Sequence, residues 1–371
     1  MSAQHSDAGR RLLALLNTEP GEARLAGLLA LLHLSLITTV VFVQTIAFGL
    51  FVTQFGVENL PLVYITTAVL APLVALASLK LSARSAYARS LRLAIALCAG
   101  VCALFWIGLN TSLAAAFIFL LPAWFHILIY LANRIVWPLA GRLFDPQQGK
   151  RLFGIIGAGG WVAYIAGGIL VVPLVARFGA ANMLLAAIAA MGVSALVMRA
   201  ITRGYLQPAQ VPIPQIAQPQ TRPAPLTRNR YVALIIAQVC VWWVAFFFVD
   251  NIFYNRALLQ FPNAIELTAF IGMSLSVIGV IALVVTVLSN SRILQRYGLR
   301  AGLLLMPALV TALIALTALF DALDAAIVVS FFFATLAKVA NVSLGFTISQ
   351  SAGNVAYQAL PGEQRARANG G

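Results

Sequence analysis

Ten long apolar segments constrain this chain more than any motif it carries. They lie near residues 25–53, 60–80, 91–109, 112–140, 153–176, 181–200, 231–256, 267–289, 300–320 and 325–358. A helix crosses the bilayer in about 20 predominantly apolar residues. In lipid the backbone must satisfy its own hydrogen bonds, so each segment is expected to form a membrane-spanning helix. Segments longer than one span would tilt or protrude. Composition agrees: 61% of the 371 residues are hydrophobic, 9% are charged, and the mean hydropathy is +0.94. A soluble domain carries about 25% charged residues, so this chain lacks the polar surface to cover itself. Three cysteines supply no disulfide framework. Residues 1–23 are polar, and the first apolar run is too long for the core of a secretory signal. Thr18-Glu19-Pro20-Gly21-Glu22 reads as a helix start, with a cap, an early proline and acids in the first turn.

Between the sixth and seventh segments, Arg203 to Arg230 is dense in proline and glutamine, from Gln207 and Pro208 through Pro212, Pro214, Pro219 and Pro223 to Pro225. That composition favours an extended linker. The expected organisation is a cytoplasmic N-terminal segment (1–24), a first six-helix half (25–202), a cytoplasmic linker (203–230) and a second half of four helices (231–371). The formal charge of +14 then follows from topology. Of the 24 lysines and arginines, 20 flank span one or lie in the linker, the C-terminal segment and the loops after spans two, four and eight. Only Arg177 and Arg256 fall on the opposite side, and Arg134 and Lys338 lie inside spans. Cytoplasmic loops carry the excess of basic residues, so the N-terminus, linker and C-terminus are expected in the cytoplasm. Nucleic-acid binding is not needed to explain the charge.

Ionisable side chains at the bilayer centre cost at least ~2.5 kcal/mol each on the insertion scale and face the interior of the bundle. Spans three, six, eight and nine are nearly free of strongly polar groups. The polar load sits on spans one, four, seven and ten. Span one carries His33 and Gln44, eleven residues apart and so on one face. Span four carries His126, Asn133 and Arg134; span seven carries Gln238, Trp243 and Asp250; span ten carries Lys338 and Asn341. These ten residues are the candidate solute contacts. Trp243, Phe247, Asp250 and Tyr254 are expected to form one stripe. His33 also reads as a buried histidine satisfied by its surroundings, Arg134 as a snorkelling arginine, and Asp250 as an interfacial acid or the salt-bridge partner of Lys338. Lys338 is the sharpest candidate, ~20 Å along the helix from the outer start of span ten and so near the midplane. The balance of Arg134, Lys338 and Asp250 is positive, which favours an anionic solute.

Other features read as packing. Span five holds Gly154, Gly157, Gly159, Gly160, Gly167 and Gly168; no strand precedes them, so a phosphate loop is not expected. Small residues let membrane helices approach closely, and this face is expected to pack or slide. Cys98 and Cys102 match no zinc spacing. No catalytic constellation, metal cluster or phosphate-binding loop appears, so neither an enzyme activity nor a cofactor is expected.

Six spans, a cytoplasmic linker and a second set follow the plan of the major facilitator fold, with two halves built from three-helix repeats. In that plan spans one, four, seven and ten line the central cavity. The expected fold class is therefore all-α, a polytopic major-facilitator-like bundle of about ten transmembrane helices, with the last two spans of a twelve-span plan missing.

Three stretches resemble a known group: Glu22-Ala23-Arg24 with Phe55-Gly56-Val57-Glu58-Asn59-Leu60-Pro61; Gly149-Lys150-Arg151-Leu152-Phe153-Gly154 continuing to Gly160; and Tyr357-Gln358-Ala359-Leu360-Pro361-Gly362-Glu363-Gln364-Arg365-Ala366-Arg367. They look like the bacterial ATP/ADP-translocase-like branch of the major facilitator superfamily. The resemblance implies nucleotide-exchange ancestry and a bacterial inner membrane. The expected function is secondary active transport of a small, anionic solute, with a nucleotide as one possibility. The alternative is a non-transporting scaffold or sensor, with a partner protein covering the face of the missing helices. The expected partners are the bilayer and the solute.

Overall fold

Each of the ten apolar segments forms a helix in the computed structural model, which describes residues 20–84, 87–206, 230–288, 290–323 and 326–353. No strand occurs among the described residues. The helices are α1 (Pro20–Phe55), α2 (Leu60–Arg84), α3 (Tyr87–Leu109), α4 (Ala114–Leu143), α5 (Pro146–Phe178), α6 (Met183–Tyr205), α7 (Arg230–Gln260), α8 (Ala264–Leu288), α9 (Asn290–Ala322) and α10 (Ile327–Leu344). Most outrun the apolar segments because hydropathy marks only the lipid-embedded part, while the helical ladder continues into the polar flanks. α5 starts at Pro146 rather than near 153, and α9 at Asn290 rather than near 300. Gly298 breaks α9 in a positive-φ conformation (φ 75°, ψ 179°) that side-chain-bearing residues avoid. After Leu344 α10 gives way to one wide turn, Gly345–Ser349, with i to i+5 pairing, and helix resumes through Gly353. The helix start read at Thr18, the linker residues 207–229 and the C-terminal motif at 357–367 lie outside the described residues.

The chain forms two compact units. The first comprises the chain through Ala209 together with Phe261–Val280, and the second comprises Gln210–Gln260 and Ile281–Gly371. In the first unit α1 is central, packed by α4, α5 and α6, while α3 packs on α4 and α6 and α2 packs on α4. α1 is apolar on every side, so its buried hydroxyls bond back to its own carbonyls. Ser35 donates to Leu32 at 3.0 Å, Thr38 to Leu34 at 2.8 Å and Thr45 to Phe42 at 2.9 Å. Across to α6, Ser194 donates to the Ser35 hydroxyl at 2.8 Å.

The glycines of α5 are where other helices come closest. A Cβ on Gly159 would sit 2.5 Å from the Ala30 carbonyl oxygen, and one on Gly167 would lie 3.2 Å from Val41 Cγ1, both on α1. Farther along, Gly272 of α8 passes so near α5 that a Cβ would stand 2.7 Å from Val171 Cβ, and Ser276 donates to the Ile165 carbonyl at 3.0 Å. The expected packing face thus serves α1 and the N-terminal part of α8. At the polar end of α5, Asp145 caps the helix, accepting from the Gln147 and Gln148 amides while Gln148 returns a bond to the Asp145 amide.

The second unit is built on α7, α9 and α10. α10 packs on α7 and α9, around an apolar cluster of Val249, Met306, Val310, Ala337 and Ala340. Ala334, Ala337 and Ala340 are buried and small, which lets the helices approach closely.

Candidate functional site

In the first unit the candidate residues are mostly satisfied by backbone or by neighbours on their own helix. His33 is buried, and its Nδ1–H donates to the Ile156 carbonyl of α5 at 2.8 Å. A carbonyl only accepts, so the proton sits on Nδ1. The ring meets the Trp137 ring edge-on at 5.6 Å and occupies the space left by Gly160, where a Cβ would lie 2.8 Å from His33 Cε1. On α4, Asn133 donates to the Ile129 carbonyl at 2.9 Å and accepts from Trp137 Nε1 at 3.0 Å. Arg134 donates to the Tyr130 hydroxyl at 3.0 Å and is half-buried. His126 donates to the Pro122 carbonyl at 2.8 Å among the rings of Phe48, Phe125 and Tyr64. Gln44 differs: it is buried, and its Oε1 accepts no hydrogen bond from the described residues.

Two of the loop motifs meet in space. Glu22, at the start of α1, accepts from Gln148 Nε2 at 2.8 Å and from Arg151 at 3.1 Å, both in the first turns of α5. The stretches singled out around Glu22 and Gly149–Arg151 therefore form one contact that ties the polar ends of α1 and α5.

The second unit holds the densest chemistry. Lys338 of α10 donates to Asp250 Oδ1 of α7, and both are almost fully buried, at 2% and 3% exposure. The ammonium faces three aromatic rings, 5.0 Å from the centroid of Phe246, 5.8 Å from Tyr254 and 5.9 Å from Phe253, within cation–π range. These rings stand four residues before Asp250 and three and four after it, so one helical face supplies both carboxylate and walls. Asn341, one turn beyond Lys338, is buried at 1% exposure, and its Nδ2 has no acceptor among the described residues. Trp242 Nε1 is likewise buried without an acceptor, beside Gly345 in the wide turn that ends α10. This unit thus buries one ammonium against one carboxylate, and the same two helices carry two further buried N–H groups without acceptors among the described residues.

The stripe read from sequence lies on a shifted face. Asp250 and Tyr254 are buried, but Trp243 is 40% exposed, and the walls are Phe246 and Phe253. Gln238 is exposed and takes no part in the cluster. Asp250 is not interfacial: it is the partner of Lys338. Phe246, Phe253 and Trp242 were missing from the sequence candidates, although their spacing around Asp250 was a readable signal.

A solved structure of a bacterial homologue of the iron transporter ferroportin, in an inward-facing state, superimposes with a TM-score of 0.60 at 15% sequence identity. The match covers 94% of this chain and 87% of that one. The fold is major-facilitator-like. At this identity the likeness is one of fold, and the described residues hold ten apolar helices of membrane-spanning length. Residues 219–353 match the family model described as TLC ATP/ADP transporter. The matched stretch contains Trp242, Asp250, Lys338 and Asn341. No curated protein matches the chain significantly. The chain is a polytopic membrane protein of major-facilitator-like fold, and the partial family match together with the fold supports membrane transport.

Proposed function

We propose that this protein is a secondary transporter that moves a small anionic solute by alternating access, with Lys338 as the group that receives the anion. The observation that carries this reading is the buried Lys338 ammonium, paired with Asp250 and faced by three aromatic rings. The same two helices bury N–H groups without acceptors among the described residues, on Asn341 one turn from Lys338 and on Trp242 about two turns from Asp250, and unmet buried donors are costly. Asp250 holds Lys338 in place when no anion is bound. A nucleotide is the first solute to test, because the stretch that carries the site is the one resembling ATP/ADP transporters. Transport is the whole activity, with no covalent chemistry. The asymmetry of basic residues favours a cytoplasmic N-terminus and linker, and the sequence resemblance favours a bacterial inner membrane.

The experiment is uptake of radiolabelled ADP by the full chain in liposomes, in the wild type and in Lys338→Gln. Saturable uptake that collapses in the variant is the expected result. Uptake of equal rate and affinity in both proteins would remove Lys338 from the site. No uptake of ADP or ATP by protein shown to be folded would remove the nucleotide.

A further inference from the structure

We propose that Asp250 is a proton-binding site that loads whenever the solute takes Lys338, so that one proton travels with each anion. This rests on the reading of Lys338 as the anion-receiving group and adds the coupling ion to it.

Asp250 is 3% exposed and bonds to Lys338. On its own helix, Phe246, Phe253 and Tyr254 stand one turn before and after it and surround the Lys338 ammonium that it binds. α10, the helix packed on α7, contributes Lys338 and, one turn on, the neutral Asn341. α9, packed on the far side of α10, contributes Met306, Val310, Leu313 and Ile314. The other described ion pair of this unit, Arg256 with Asp321, lies more than a turn further along α7 and is engaged with itself. Among the described residues Lys338 is therefore the one cation that compensates Asp250.

One lysine carries one positive charge and cannot fully compensate two anions at once. When a solute anion draws the ammonium away, Asp250 is left as a bare carboxylate among aromatic rings, and an unpaired buried charge is strongly destabilising. A proton from the solution that delivers the solute removes that cost. The steps balance. The empty site holds –NH3+ and –COO−; the loaded site holds –NH3+ with the anion and –COOH. Release of the anion lets Lys338 return, and Asp250 gives the same proton to the side that receives the solute. The aromatic walls hold the ammonium by cation–π attraction and carry no charge of their own to compensate the carboxylate.

The test has two arms. The first needs no solute. Infrared difference spectra of the full chain in lipid at neutral pH compare wild type, Lys338→Gln and the double variant Lys338→Gln/Asp250→Asn. The expected result is a protonated-carboxyl C=O band present in Lys338→Gln and absent from the other two. The double variant also shows whether the altered site folds, since it carries no charge at that site. A folded Lys338→Gln protein whose Asp250 stays ionised overturns the proposal. The second arm uses wild-type liposomes with a pH dye inside and ADP outside. Acidification of the lumen in step with ADP entry supports the coupling, as does faster ADP entry down an imposed proton gradient. ADP entry with no proton movement overturns the coupling while leaving Lys338 as the anion site. A carrier that moves no ADP but shows the carboxyl band loses the nucleotide reading and keeps the proton site.

Discussion

The two units bury their polar groups by different means. In the first, His33, Asn133 and the hydroxyls of α1 spend their hydrogen bonds on carbonyls, in their own helix or the next. In the second, Lys338 and Asp250 spend their charges on each other and leave Asn341 and Trp242 with donors to spare. A group bonded to a helical carbonyl has one favourable arrangement and stays in it. An ion pair has a second arrangement available as soon as a competing ion arrives. The contrast separates polar residues that fix a membrane bundle from polar residues that can respond to a solute.

The largest effect that could break this contrast is expected at the ion pair. Lys338→Ala leaves Asp250 buried and uncompensated, and thermal unfolding in detergent should register a loss of about 3–5 kcal/mol. Adding Asp250→Asn to that variant should recover most of the loss; no recovery would mean the lysine acts through packing alone. A steric test of the first unit comes next. Gly159→Val pushes a side chain against the Ala30 carbonyl, which is backbone and cannot swing aside, and should cost about 1–3 kcal/mol. Gly154→Ala faces open space, and equal destabilisation by both substitutions would refute the close approach of α1 and α5.

Smaller effects sharpen the picture. His33→Phe removes the bond to Ile156 and should cost about 1 kcal/mol, far less than the lysine. A loss as large as that of Lys338→Ala would place His33 among the responsive groups. Asp145→Ala removes the cap of α5 and should also cost about 1 kcal/mol, with its local character visible as faster amide exchange confined to the first turn of α5. Arg151→Gln breaks a partly exposed pair, with Arg151 30% and Glu22 10% exposed, and should cost under about 1 kcal/mol, shrinking further in high salt. A salt-independent loss would show that the contact is not electrostatic.

Much of the site was legible because lipid makes polar residues conspicuous. Lys338 and Asp250 stood out in apolar helices, and pairing them was one of the readings the sequence allowed. The walls were less legible. Phe246, Phe247 and Phe248 are consecutive, and hydropathy gives no reason to prefer one; the rotation of α7 against α10 selects Phe246. Trp242 and Trp243 pose the same ambiguity, resolved when Trp242 packs beside Gly345 and Trp243 stays 40% exposed. His33 could have been a solute contact or a structural residue on sequence grounds, and only the approach of Ile156 decides how its ring is spent.

By itself the sequence determined the helices and their number, because backbone satisfaction in lipid is a local demand that an apolar run of sufficient length meets alone. It also determined which helices carry polar load. Only the tertiary structure decided which partner each polar group found. Lys338 and Asp250 are separated by 88 positions, and Glu22 meets Gln148 and Arg151 across more than 120. It likewise placed Phe261–Val280 with the first unit although the linker precedes it in the chain. The physical reason is common to all three. A helix that is apolar all round satisfies lipid equally well at any rotation, so its orientation is set by the close approaches, hydrogen bonds and charge pairs it makes with other helices.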